Sequence, residues 1–294
     1  MAYIPVGFEN KYNLELHYTD RGAGEPVVMI HGYPFSGTAW ERQEEALIAA
    51  GYRVITYDRR GFGESSKPSA GYDYDTFALD LRTVIETLGL KKVTLIGHSM
   101  GTGEIARYIG RYGTENIVRA VMISPIPPYL LKTAGNETGV EQEIFDDIKA
   151  AIKKDRYAYV RSFLDIFYNA KTLFGLKVSE EKLSADFNLA VTSGAAAFYQ
   201  CVDTWLEDFR PDIVKINIPL LVIHGDADKI LPIDATAKVL TQTVGELVVI
   251  EGGSHGIPWT HYEKVNEAIL KFMGSAFSTR RVDNRQPQFH PNVQ

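Results

Sequence analysis

Gly97-His98-Ser99-Met100-Gly101 follows Val93-Thr94-Leu95-Ile96, a short apolar run with strand character. It precedes a stretch with apolar residues at Ile105, Tyr108, Ile109 and Tyr112, the spacing of one helix face. A G-x-S-x-G pentapeptide between a strand and a helix is a nucleophile elbow, a sharp turn that lifts a serine above a sheet. The turn strains the serine's backbone and crowds its neighbours, so the residues two before and two after it must be small. Gly97 and Gly101 meet that need. The pentapeptide alone occurs by chance; its setting makes Ser99 the candidate nucleophile.

An activated serine needs a general base, and a neutral histidine needs a carboxylate to orient it. Behind an elbow of this type the chain order is serine, acid, histidine. Ile218-Pro219-Leu220-Leu221-Val222-Ile223 reads as a buried strand running into His224-Gly225-Asp226-Ala227-Asp228. Leu247-Val248-Val249-Ile250 reads as another, running into Glu251-Gly252-Gly253-Ser254-His255-Gly256. His255 is the candidate base, and Asp226 and Asp228 are both candidate acids. All lie in loops at the carboxyl ends of strands, where catalytic groups gather in open α/β sheets. An early strand, Pro26-Val27-Val28-Met29-Ile30, leads into His31-Gly32-Tyr33-Pro34. Sites of this kind take one backbone N–H from the residue after the nucleophile, here Met100, and one from the loop after an early strand, here Tyr33. Each such donor, aimed at a developing oxyanion, is worth on the order of 10²–10³ in rate.

Further apolar runs at 14–19, 54–57 and 120–124, with 6–9 before them, complete a set of strands. Helical patterns cover 40–50, 74–88, 100–112, 235–241 and 261–273. Most strand runs are continuous and do not alternate, as in a parallel sheet covered on both faces. The alternation of strand and helix predicts an α/β fold, a mostly parallel, doubly wound sheet of about eight strands with right-handed crossovers. After Ser124-Pro125-Ile126-Pro127-Pro128 only helical patterns appear, at 136–153, 156–168, 179–189 and 195–209. Residues 126–211 are expected to form a helical cap inserted into a core of 1–125 and 212–274. A lid there would exclude water and shape a pocket. Aromatics at helical spacing are mostly packing, so Phe163, Phe167, Phe198 and Tyr199 are read as cap core. Tyr33, Trp205 and Ile230 are the candidate substrate contacts. The polar, patternless stretch from Ser275 is expected to be a disordered tail.

Composition narrows the classes. The chain has 294 residues, 45% hydrophobic and 23% charged, which suits a globular enzyme with a large core. A net charge of −6 without a basic stripe argues against nucleic acid as a partner. No apolar stretch reaches the ~18–20 residues that span a bilayer, so no membrane partner is expected. Met1-Ala2-Tyr3-Ile4-Pro5 has no basic segment followed by an apolar run, so no signal peptide is expected. The single cysteine, Cys201, excludes an internal disulfide, reads as a buried thiol and suits a reducing cytoplasm. No H-E-x-x-H or C-x-x-C pattern suggests a catalytic zinc, and no metal ligand set is assigned. Gly61-x-Gly63 lacks the third glycine of a nucleotide fingerprint. The other polar residues take structural readings: His31 and His98 hold loops, His224 ends a strand, and His261 opens the last helix at the surface. Asp58 and Arg60 are expected to pin the loop that follows their strand.

The segments His31-Gly32-Tyr33-Pro34, Tyr57-Asp58-Arg59-Arg60-Gly61-Phe62-Gly63, Gly97-His98-Ser99-Met100-Gly101, Ser124-Pro125, His224-Gly225-Asp226-Ala227-Asp228 and Ser254-His255-Gly256 together resemble the α/β-hydrolases. Within them the chain resembles the bacterial cofactor-free haloperoxidases, a group of esterases and perhydrolases, from about Tyr3 to Gly274. The resemblance implies a Ser–Asp–His triad with no metal, no haem and no other cofactor. It places the acid three residues after the glycine that ends its strand, which selects Asp228, with Ile230 and Pro232 following in the family pattern. Asp226, one residue after Gly225, is then left to bond within its own turn. The resemblance further implies small ester or carboxylic acid substrates, hydrogen peroxide as an alternative to water, and an aromatic-proline pair at Tyr33-Pro34 that goes with perhydrolysis. It also admits a homo-oligomer. Two other readings share these residues: a lactamase or amidase with the same triad, and a non-catalytic ligand-binding protein on a hydrolase fold.

Overall fold

The computed structural model describes residues 2–172, 175–176 and 178–274. The tail expected from Ser275 onward lies outside the described residues. Strands β1 (Ala2–Glu9), β2 (Tyr12–Gly22) and β3 (Pro26–Ile30) lead through a short 3-10 turn into helix α1 (Glu41–Ala49). Then come β4 (Arg53–Tyr57), α2 (Tyr74–Thr87), β5 (Val93–His98), α3 (Met100–Tyr112) and β6 (Ile117–Ile123). The next segment holds α4 (Gln142–Phe167), the short strands β7 (Lys171–Thr172) and β8 (Gly175–Leu176), α5 (Glu180–Val191), α6 (Ala195–Thr204) and α7 (Arg210–Ile213). The chain returns with β9 (Leu220–Gly225), α8 (Ala237–Leu240), β10 (Glu246–Ile250), α9 (Ile257–Thr260) and α10 (Tyr262–Phe272).

The main sheet has eight strands in the order β1-β2-β4-β3-β5-β6-β9-β10. Pairing is antiparallel from β1 to β2 and from β2 to β4, and parallel across the other six strands. The continuous apolar runs follow from burial on both faces. In β3, Val28 and Ile30 join the core shared with α2, α3 and the helices from α4 to α6, whereas Val27 and Met29 join the core under α1 and α10. The same split divides Ala120 and Met122 from Val121 and Ile123 in β6. Strand order reverses between β4, β3 and β5, so the carboxyl ends of β3, β5, β9 and β10 open onto a shared edge.

Local chemistry sets the helix ends. Asp73 caps α2 by accepting from Thr76 N at 2.8 Å, and Phe77, Leu81, Val84 and Ile85 bury its apolar stripe. Two helices expected at 136–153 and 156–168 form one long α4 broken at Asp155, whose backbone is non-helical (φ −161°, ψ 96°). Its Oδ1 accepts from Tyr157 N and Ala158 N, both at 3.0 Å, so the aspartate is an internal cap for the second half. Three expectations need correction. Residues 136–141 are not helical; Lys132 N donates to Val140 O and Val140 N to Leu130 O across a turn that Asn136 closes through its side chain. The helix expected at 195–209 stops at Thr204, where Oγ1 bonds the Tyr72 carbonyl. The segment also carries the β7–β8 hairpin, too short to leave a periodic signal. Among the described residues no helix is long and apolar enough to cross a membrane.

Candidate active site

Ser99 sits between β5 and α3 with φ 52° and ψ −119°, a conformation that a residue with a side chain adopts only under constraint. The constraint is visible. Ser99 N donates to Ile123 O at 2.9 Å, and Thr102 donates to Ser99 O through N at 2.9 Å and Oγ1 at 2.6 Å. The flanking glycines are needed for space: a Cβ on Gly101 would lie 2.3 Å from Ile30 O, and one on Gly97 would lie 2.7 Å from Gly101 O. Met100 opens α3, so its N–H is among the first amides of a helix, which have no carbonyl within the helix. The loop after β3 passes beside the elbow, where a Cβ on Gly32 would meet Ser99 Cβ at 3.1 Å.

His255, buried after β10, directs Nδ1 to Asp228 Oδ2 at 2.7 Å. The other carboxylate oxygen, Oδ1, accepts from Ile230 N at 2.8 Å and Leu231 N at 2.9 Å. Burial alone would raise the Asp228 carboxyl, but His255 and His224 outweigh it and hold it far below the usual carboxylate range. Asp226 points elsewhere: it is exposed and accepts from Gly252 N at 2.7 Å. The His255 ring lies 5.0 Å from the His98 ring and 5.2 Å from the Phe167 ring, centroid to centroid. His98 Nε2 donates to His255 O at 3.0 Å, tying the elbow strand to the candidate base. Burial, reinforced by His255, pushes the His98 imidazole down to about 3, so it stays neutral. The end of α4 holds both loops: Asn169 Nδ2 donates to Ala227 O at 2.9 Å, and Gly256 N donates to Phe167 O at 3.0 Å.

A cavity of about 260 Å³ opens at Ser99, walled by Tyr33, Trp205, Ile230, Phe163, Ile126 and Leu231 among others. Tyr33, Trp205 and Ile230 therefore meet in one pocket, with Tyr33 edge-on to Trp205 at 4.8 Å and to Phe163 at 6.0 Å. Sequence reasoning missed Leu130, Val140, Ile144, Phe145, Ile148, Tyr159 and Lys229 on the same walls. For Ile144, Phe145, Ile148 and Tyr159 the apolar stripe of α4 was the only signal, and it reads the same whether it faces a core or a pocket; Leu130, Val140 and Lys229 lie outside that helix. Phe167 packs on His255, Phe198 lies under Tyr33 at 5.2 Å, and Tyr199 faces Lys149 and Lys153. A larger groove of about 580 Å³, walled by His17, Asp58, Glu41 and Glu45, contains none of the candidate site residues.

The remaining polar residues are mostly ties. His31 Nε2 accepts from Arg59 N, and His224 Nε2 donates to Leu231 O, both at 2.9 Å. Asp58 accepts from Gly37 N at 2.7 Å and Glu64 N at 2.8 Å, pinning its loop. Arg60 does not share that work; it forms a two-pronged pair with Asp80 of α2, both bonds at 2.6 Å, because its side chain turns under the helix. His261 is half-buried and precedes α10, bonding Thr260 Oγ1 through Nδ1 at 2.9 Å. Cys201 is fully buried, and burial pushes its thiol up to about 12.

Known proteins carry the same frame. Residues 25–262 match the family model described as alpha/beta hydrolase fold. A non-heme chloroperoxidase of Kitasatospora aureofaciens is 42% identical over 265 residues, covering 88% of this chain and 96% of that protein. A bifunctional esterase/perhydrolase of Acinetobacter calcoaceticus is 33% identical, covering 94% of this chain and all of its own length. The crystal structure of a bromoperoxidase from Bacillus anthracis superposes with a TM-score of 0.90 at 41% identity, over 93% of this chain and 99% of that one. With these matches spanning nearly the whole fold, the chain belongs to the alpha/beta hydrolase family, among the non-heme haloperoxidases and their esterase relatives.

Proposed function

We propose that the protein is a serine hydrolase that cleaves small carboxylic esters through an acyl-enzyme on Ser99. The observation that carries this reading is the 2.7 Å contact between His255 Nδ1 and the buried Asp228 carboxylate, beside a strained serine that opens into an apolar cavity. In this reading His255 takes the Ser99 proton as Oγ attacks the ester carbonyl, and Asp228 stabilises the imidazolium. The N–H groups of Tyr33 and Met100 receive the oxyanion. His255 returns the proton to the departing alkoxide, and a water, deprotonated in turn, releases the acid and restores Ser99. Tyr33, Trp205 and Ile230 contact the acyl or alcohol group.

A second use of the same acyl-enzyme has its own support in the haloperoxidase and perhydrolase names of the relatives. Hydrogen peroxide replaces water, the product is a peracid, and the peracid oxidises halide in solution. One variant tests both readings. Ser99→Ala is expected to lose labelling by a fluorophosphonate and to keep only roughly 10³–10⁴ of catalysis over water. Bromination of monochlorodimedone with acetate and peroxide should fall to the blank in the same variant. Near-normal ester turnover in Ser99→Ala overturns the mechanism; wild-type bromination no faster than the blank removes the perhydrolase reading alone.

A further inference from the structure

His224 has a second contact that a strand-ending tie does not require. Its ring is fully buried at the end of β9, four residues before the acid. Nε2 lies 2.9 Å from Leu231 O and 3.3 Å from Asp228 Oδ2, the same oxygen that receives His255. A carbonyl can only accept, so Nε2 carries the proton, donates it to Leu231 O and presents the same N–H to the carboxylate oxygen 3.3 Å away. Nδ1 is left with a bare lone pair and, among the described residues, no hydrogen-bond partner. Burying an idle ring nitrogen costs free energy that an apolar side chain of similar size would avoid. The nitrogen in use is the one that faces both Leu231 O and Asp228.

We propose that His224 is a positioning residue for the catalytic pair: it holds the Asp228 oxygen that receives His255, completing a carboxylate fixed on every side. This rests on the triad proposed above. Oδ1 is fixed by Ile230 N and Leu231 N, while Leu231 O anchors His224 itself, so Asp228, Leu231 and His224 form a ring of two hydrogen bonds closed by the 3.3 Å contact between His224 and Oδ2. Donation from His224 withdraws charge from Oδ2 and limits how tightly the carboxylate holds the proton on His255. The titratable groups facing this pair are Asp228, His224 and His98, and His98 stays neutral.

The test compares two amides. In H224Q the side-chain NH₂ reaches the Nε2 position; in H224N it falls short, at the Nδ1 position. H224N is expected to lower kcat about ten- to a hundredfold with KM little changed, the size of loss when an outer hydrogen-bond partner is removed. The acid limb of its kcat/KM profile should move to higher pH by about half to one unit, and H224Q should restore both. NMR of isotope-labelled histidines reads the same point without turnover: the pH at which the His255 ring takes up its proton should rise in H224N. In the wild type, His224 should be the Nε2–H form, its proton signal moving in Asp228→Asn. A purely structural tie leaves the acid limb and the NMR titration in place; that result, or an Nδ1–H form of His224 in the wild type, overturns the proposal. A wild type that turns over no ester, with the NMR shifts as expected, overturns the hydrolase reading and leaves the role of His224 standing.

Discussion

Asp226 and Asp228 stand two residues apart and face opposite ways. Asp228 is buried on His255, whereas Asp226 is exposed and bonds Gly252 N across its own turn. Loss of the charge that fixes the histidine tautomer should cost on the order of 10⁴ in kcat with little effect on KM, the size of the same isosteric change in serine proteases. Asp228→Asn is expected to show that loss, and Asp226→Asn a small one; steady-state kinetics on the two folded variants decide it, and the reverse ranking moves the acid to Asp226. The residues alone left this choice open, because both aspartates follow the same strand and the same glycine. What separates them is the turn, where Asp228 Oδ1 captures the amides of Ile230 and Leu231. Ser99 and His255 stood out as candidates in the sequence because each follows a distinct apolar run.

Helix α3 and the loop after β3 carry the two proposed oxyanion amides, and one buried ion pair spans them. Arg59 Nε donates to Glu104 Oε2 of α3 at 2.8 Å, while its Nη2 donates to His31 O at 2.9 Å. Tyr57 donates to the other oxygen of Glu104. Removing one partner of such a pair strands a charge inside the protein, at a cost of about 3–5 kcal/mol. Glu104→Gln is therefore expected to lower the urea midpoint by that equivalent, and to lower kcat more than it raises KM as the two amides lose their mutual spacing. A midpoint and kcat both near wild type would show that the clamp is dispensable. Periodicity reveals the helix but not this contact, since Glu104 reads as an ordinary polar residue of an amphipathic helix. The same limit applies to α4: its break was legible around residue 155, yet which of its apolar residues face the cavity depends on how the helix sits over the sheet.

For the molecule as a whole, the buried neutral histidines set the response to acid. Burial, aided by Arg59, holds His31 well below its ordinary value, and burial with His255 holds His98 at about 3. The unfolded chain takes up protons on both near pH ~6.5, while the folded chain refuses them. Their contribution is complete above that pH and shrinks as pH falls below it, by up to about 1.4 kcal/mol per pH unit for each histidine. Urea unfolding followed from about pH 7.5 to about pH 5.5, above the usual carboxylate range, is expected to show a falling midpoint; a flat one would mean that both rings accept protons in the native state.

The strand that precedes His255 is β10, an edge strand and the last of the sheet in chain order. On the proposed reading, a chain still emerging from the ribosome presents Ser99 early, with Asp228 placed only once β9 has paired and His255 only once β10 has followed. Made from one end, such a nucleophile stays inert until both of these strands are in place, so a nascent chain that stops short of β10 has no means of attacking esters around it.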